Sequence, residues 1–481
     1  MANPYLEGGF APVREEVTLT DLKVTGHLPQ HLDGRYLRIG PNPVFDPGDD
    51  YQWFLGDGMV HGLRLRDGEA QWYRNRYVRS HAVADALGEQ ARPGHLHAGM
   101  DFAPNTNVIG HAGRTFALIE SGPSPYELTG DLDTIGPCDF DGTLKGGYTA
   151  HPIADPVTGE LHAVSYFWGW GNRVQYSVID TAGRVRRTVD VEVHGSPMMH
   201  SFSLTENYVV LYDLPAVFDK RVAAKTAPLV VQPMARLSLN AVIGRNPIPE
   251  WLATAMARGP AKRRFRTSSF PYRWDDTYPA RIGLLPREGT SSEVRWFDVE
   301  PCYVFHPMNA YEDGDTIVLD VVRHPRVFDA VVTGPEEGPP TAERWTVDLA
   351  AGKVREERVD DHPQEFPRID ERLTGRRHRY GYSVGFSDWS DGDSLIRHDM
   401  VAGGTKVRPF GPGQSAAEFV FVPNAPDSAE DDGVLIGFVQ DVPNGRTDLL
   451  VLDSQTLEDI AAVHLPVRVP AGFHGNWVPT P

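Results

Sequence analysis

The sequence predicts an all-β chain whose antiparallel sheets close on one another as a β-propeller. Three observations carry this expectation. The chain has 481 residues, long for one ordinary domain, and large closed β architectures are the usual exception. Its 47 glycines and 40 prolines mark many turns, and so many short strands. Finally, an extended run that ends near an aspartate, turns tightly and re-enters as a second run recurs at 63–73, 178–185, 345–354 and 450–457. These are hairpins. Spread along the whole chain, they argue for repeated sheets and against one sandwich, and a propeller is the closed form that accommodates so many.

Taken in order, residues 1–30 read as an irregular lead-in, with Pro4, Pro12 and Pro29. A short strand follows at 34–40, stopped by Pro41-Asn42-Pro43. The pattern repeats through 53–61, where Gly56 and Gly58 supply a tight turn. The segment from about 216 to 264 breaks the β pattern. It reads as helical and amphipathic, ends in Lys262-Arg263-Arg264, and is expected to form a cap on the sheets. Within it, the apolar stretch 228–257 suits peripheral contact with a membrane or with a lipophilic substrate. We read 1–481 as one catalytic domain carrying this insertion.

Composition excludes several classes. A net charge of -19 argues against a nucleic-acid partner. The two cysteines, Cys138 and Cys302, form no CxxC pair, which excludes a disulfide framework and a thiolate zinc site. The N-terminus shows no basic region followed by an apolar run, and no 18-residue apolar span occurs. The expected location is the cytoplasm, with membrane association as the variant.

Four of the 18 histidines share a setting at the edge of an extended run. They are His151 in Thr149-Ala150-His151-Pro152, His200 after Met198-Met199, His306 in Phe305-His306-Pro307, and His474 in Gly472-Phe473-His474-Gly475. The nearest pair is 49 residues apart (151 to 200), so no local helical metal motif exists. Such scattered ligands meet only if the fold returns the chain repeatedly to one axis, as a propeller does. Four neutral imidazoles suit a borderline ion such as Fe(II), Cu or Zn. Ligating histidines usually donate their second ring N–H to a carboxylate or carbonyl. Glu120, Glu365 and Glu418 stand in apolar settings where an unpaired charge is costly. The plainer alternative for each is a partly exposed glutamate at a strand end.

The motifs taken together carry a resemblance. They are Arg38-Ile39-Gly40-Pro41-Asn42-Pro43, Gly56-Asp57-Gly58-Met59-Val60-His61, Asn105-Thr106-Asn107-Val108, Thr149-Ala150-His151-Pro152, Met198-Met199-His200, Phe305-His306 with Asn309-Ala310, Glu365-Phe366-Pro367-Arg368 and Gly472-Phe473-His474-Gly475. In this order they resemble the carotenoid cleavage oxygenase family, which includes apocarotenoid oxygenases, the retinal-pigment-epithelium isomerase and lignostilbene dioxygenases. The resemblance implies seven blades with a helical cap over the top face. It implies one Fe(II) per chain on the axis, held by His151, His200, His306 and His474, with Glu120, Glu365 and Glu418 orienting three of them. It implies that the methyl group of Thr106 crowds one open coordination site, leaving a single site for O2. The implied reaction is oxidative scission of an alkene into two carbonyl products, with no organic cofactor.

A polyene offers only dispersion and stacking, so the shape of an apolar tunnel must select the bond. Phe54, Tyr148, Trp168, Trp170 and Phe305 are the candidate aromatics of its lining. Lignostilbene-type members carry a lysine just before the first of the three glutamates, and this chain has Ile119 there. A carotenoid or apocarotenoid is therefore the expected substrate. A stilbenoid or phenylpropene is the alternative, and a propeller used as a binding scaffold without catalysis is the alternative of another class.

Overall fold

A computed structural model describes residues 3–48, 51–101, 104–225, 234, 239, 243–258, 270–329, 338–388 and 391–480. Among them, strands gather into eight sheets, of which one is a two-stranded ribbon, Ala216–Phe218 with Tyr272–Trp274. The other seven, of four to six antiparallel strands, are the blades of a seven-bladed propeller. All four hairpins expected from the sequence are present. Each joins neighbouring strands of one blade, as Gly58–Arg66 joins Glu69–Tyr77. In the turn of that hairpin both φ angles are positive, 54° at Asp67 and 74° at Gly68, as a tight two-residue hairpin turn demands.

Position within the blade decides the strand pattern. Central strands are buried on both faces and read as apolar runs, such as Gly433–Asp441, buried at every residue except the last. Outer strands alternate and carry charge, as in Lys353–Asp360, which discourages pairing with another chain.

The lead-in is less irregular than the sequence suggested. Thr18–Leu19 adds to the outer edge of the first blade, and Lys23–Gly26 to the outer edge of the last. At the other terminus Gly475–Pro479 crosses back to pair with Gly34–Pro41 in the first blade. Both chain ends thus close the ring. Strands of two to five residues carry too little alternation to be read without their partners. The closure also explains a motif. A Cβ built on Gly40 would stand 2.5 Å from the Cα of Gly472, so the two backbones meet only as glycines.

The cap interrupts the fourth blade between Tyr208–Asp213 and Arg281–Pro286. It opens as a strand at Ala216–Phe218, where the sequence suggested helix, because the ribbon partner lies beyond residue 264. Helices then occupy Lys220–Lys225 and Glu250–Arg258. Much of the first half of the apolar stretch 228–257, and all of Lys262-Arg263-Arg264, lie outside the described residues.

Candidate metal centre

Each blade sends one residue to the axis from its innermost strand or the residues just before it. Inner strands of neighbouring blades touch along this ring, as Gly475–Pro479 touches Asn107–His111 and Phe202–Leu204 touches Pro307–Asp313. His474 precedes Gly475–Pro479, Thr106 precedes Asn107–His111, His151 precedes Ile153–Ala154, His200 precedes Phe202–Leu204 and His306 precedes Pro307–Asp313. Glu365 lies in Gln364–Arg368, and Glu418 lies before Val420–Pro423. The scattered residues of the sequence are therefore one position repeated seven times. Rigid inner strands hold them, and main-chain bonds pin His474: its carbonyl accepts from Ile39 N–H at 3.1 Å and its N–H donates to Thr106 O at 3.2 Å. Buried Arg38 braces the same turn by donating to the carbonyls of Gly472 and Phe473, at 3.0 and 3.3 Å.

The four imidazoles converge. One ring nitrogen from each lies within 4.8 Å of the others. Glu120 accepts from His200 Nδ1 at 2.8 Å, and Glu365 from His306 Nδ1 at 2.6 Å. Both oxygens of Glu418 lie 3.3 Å from His474 Nδ1. With Nδ1 donating, the Nε2 lone pairs point inward. His200 Nε2 and His306 Nε2 then face each other at 3.1 Å with no proton between them. That is about the separation of adjacent ligands bound at ~2.1 Å to one ion. His151 Nε2 is buried and has no hydrogen-bond partner. Opposed lone pairs and an orphaned ring nitrogen are what a bound cation resolves, so the residues present fit a metal ion.

The electrostatics agree. Burial, followed by the other three histidines, holds His151 far below the usual imidazole range. Burial outweighs Glu418 and brings His474 down to about 4. These rings stay neutral and keep their lone pairs. Burial alone would raise the carboxylates, yet Arg368 and then His474 bring Glu418 down to about 2. His306 and His324 likewise hold Glu365 well below the carboxylate range. The arrangement offers His151 and His474 as neutral donors inside and Glu365 and Glu418 as ionised carboxylates one bond further out, which offset the charge of a divalent ion.

Backbone strain gathers at the same place. Ser121 and Phe366, each adjoining one of these glutamates, have φ of 68° and 55°. Glu365 and Phe366 lie where the register slips between Gln364–Arg368 and its neighbour, and Glu418 sits at a break between two short strands that share one partner. Irregular backbone here aims side chains that a regular strand would direct elsewhere.

An apolar cavity opens on one side of the ring, walled by Thr106, Glu120, His200, His306, Glu365 and His474 where it meets the centre. Of the aromatics named from sequence, Phe54, Trp168 and Phe305 line it, as does Ile119. Tyr148 does not. It is 1% exposed and packs on Phe140 in the core, at 5.2 Å between ring centres. Trp170 also lies off the wall, against Phe167 and His97. Tyr148 stands three residues before His151, yet its ring packs into the blade and away from the cavity. Trp53, Phe218, Phe270, Tyr272 and Phe473 are among the other aromatics of the wall and were missed. They come from distant segments with no shared pattern. Thr106 Oγ1 donates to Asn105 Oδ1 at 2.9 Å, and the residue lines the cavity.

Comparison with known proteins accords with this architecture. The family model described as retinal pigment epithelial membrane protein matches residues 10–479. A carotenoid cleavage oxygenase of Mycobacterium tuberculosis is 55% identical over 99% of this chain and 98% of its own length. A carotenoid 9,10(9',10')-cleavage dioxygenase of Pisum sativum is 32% identical over 98% of this chain and 90% of its own. In fold, the chain is similar to the crystal structure of a lignostilbene dioxygenase from Pseudomonas brassicacearum, with a TM-score of 0.81 at 24% identity over 99% of both chains. The propeller, the ring of histidines and these matches lead to one conclusion: the chain belongs to the carotenoid cleavage oxygenase family of oxidoreductases.

Proposed function

We propose that this protein uses one Fe(II), held by His151, His200, His306 and His474, to cleave a C=C double bond of a carotenoid or apocarotenoid with O2. The observation that carries the reading is the convergence of four imidazoles, three of which, His200, His306 and His474, stand on the wall of a cavity lined by aromatic and aliphatic side chains. When bound, the ion supplies the electron exchange with O2 that alkene scission needs. The overall reaction balances without a reductant: the C=C and O–O bonds break, and each carbon leaves with one oxygen as a carbonyl.

The chain's own residues have separate tasks. Glu120, Glu365 and Glu418 orient three histidines. Thr106 narrows the space beside the ring. Phe54, Trp168 and Phe305 offer stacking faces to a conjugated chain, and the apolar wall keeps water from the reacting bond. Ile119 stands on that wall and gives a phenolate no cationic partner, which favours a carotenoid or apocarotenoid over a stilbenoid. Trp251, Leu252 and Met234, exposed by 71%, 39% and 70%, support peripheral contact of the cap region with a lipid phase. Among the described residues, no helix is long and apolar enough to cross a membrane.

The test is incubation of iron-loaded protein with an apocarotenal and with resveratrol, each with and without O2, read by mass spectrometry. Aldehyde or ketone fragments from the apocarotenal, formed only with O2, are expected. Fragments from resveratrol alone would establish the stilbenoid reading instead. Cleavage that proceeds equally without O2 would overturn the oxygenase assignment.

A further inference from the structure

The three glutamates differ in what stands behind them. Glu120 accepts from Tyr166 OH at 2.6 Å. Glu418 is met by Arg368 at 3.4 Å and by Gly475 N–H at 2.8 Å. Glu365 is held at both oxygens: Oε2 accepts from His306 Nδ1 and from Phe366 N–H, each at 2.6 Å, and Oε1 pairs with His324 Nε2 at 2.7 Å. This carboxylate is strung between two imidazoles, one on the cavity wall and one behind it.

His324 is 1% exposed, and its main chain is fixed by two bonds to Tyr303, at 2.8 and 2.9 Å. Its ring meets Phe305 edge-on at 4.9 Å, and Phe305 meets His200 edge-on at 5.1 Å. One buried side chain therefore touches the carboxylate that aims His306 and the aromatic wall beside His200. The sequence carries a signal for it, since His324-Pro325 ends an extended run as His306-Pro307 begins one.

We propose that His324 is a positioning residue of the metal centre. Its bond to Oε1 fixes Glu365 so that Oε2 faces His306, and so sets how tightly the four-histidine ring holds an ion. The inference rests on the metal reading above. The terminal torsion of a glutamate is broad, so a carboxylate held at one oxygen wanders where one held at two does not. Loss of a ligand's outer partner weakens metal binding about 10- to 100-fold, and a group one bond further out belongs at the lower end, about tenfold.

The test titrates metal-free protein with Co(II), followed by its visible absorption, in the wild type and in His324→Phe, His324→Asn and His324→Gln. The glutamine amide reaches where Nε2 lies, and the asparagine amide only where Nδ1 lies. Expected are one Co(II) per chain in the wild type, about tenfold weaker binding with an altered spectrum in the Phe and Asn variants, and recovery of both in Gln. Equal affinity and spectrum in wild type and Phe would overturn the inference alone. Equal behaviour of Asn and Gln would do the same, and remains readable if Phe does not fold. A wild type that binds no Co(II) would overturn the metal reading and this inference together.

Discussion

Substituting glutamine for Glu418 tests whether the buried carboxylate serves the fold and the metal through separable contacts. Glu418 is 2% exposed and accepts from Gly475 N–H, from Arg368 and from His474. Glutamine keeps the volume and removes the charge. Arg368 is then a largely buried cation, its side chain 16% exposed, whose remaining partners are Glu371, itself well exposed, and Asn476 Oδ1 at 3.0 Å. Breaking a buried pair on one side costs about 3–5 kcal/mol, and the two surviving partners place this case near 3 kcal/mol. Replacing the charged acceptor behind His474 with a neutral amide, which sets an NH2 where one oxygen accepted, weakens metal binding about 10- to 100-fold. The double variant Glu418→Gln, Arg368→Met removes the stranded cation as well. It should regain most of the stability and none of the metal affinity. Chemical unfolding of metal-free protein reads the first quantity, and Co(II) titration the second. If the double variant recovered both together, or if Glu418→Gln changed neither, the two roles of Glu418 would not be separable.

Other outcomes follow from the cavity wall and from burial. Tyr148→Phe should leave KM for an apocarotenal unchanged and stability equal or slightly higher, because the buried hydroxyl has no partner; a raised KM would return Tyr148 to the wall. Phe54→Ala should raise KM several-fold without changing metal content, since the ring lines the cavity and packs on Trp53, Phe270, Phe328 and Phe473; lost metal would count against that. Stability of the metal-free protein should rise with pH between about 4 and 6.5 and level off above. Burial holds His61 down to about 3 and His162 and His398 to about 4, so below pH 6.5 the unfolded chain binds more protons than the folded one. Each contributes at most about 1.4 kcal/mol per pH unit. An unfolding midpoint that is flat across that window would contradict the burial of these rings in neutral form.

The parts legible in the sequence were those with a local signal. Hairpins show as alternation broken by Asp and Gly, which made the propeller readable before its closure was. The four histidines were readable because each stands where an extended run begins, and the fold shows that place to be the start of an inner strand. The glutamates stood out as charges in apolar surroundings. The contacts that Tyr166, His324 and Arg368 make with them did not, because each pair is far apart in sequence and meets only through blade packing. The wall residues were missed for the same reason, and Tyr148 shows that an aromatic three residues from a ring histidine need not share its cavity. The two edge strands of the lead-in were hidden because pairing with a distant blade, and not their own pattern, makes them strands.

Whether the four histidines form one metal site is tested most directly by measuring iron per chain after anaerobic reconstitution with Fe(II), in the wild type and in His200→Ala. One iron per chain is predicted in the wild type and almost none in the variant, with both folded. A full complement of iron in His200→Ala, or none in the wild type, would contradict the four-histidine site.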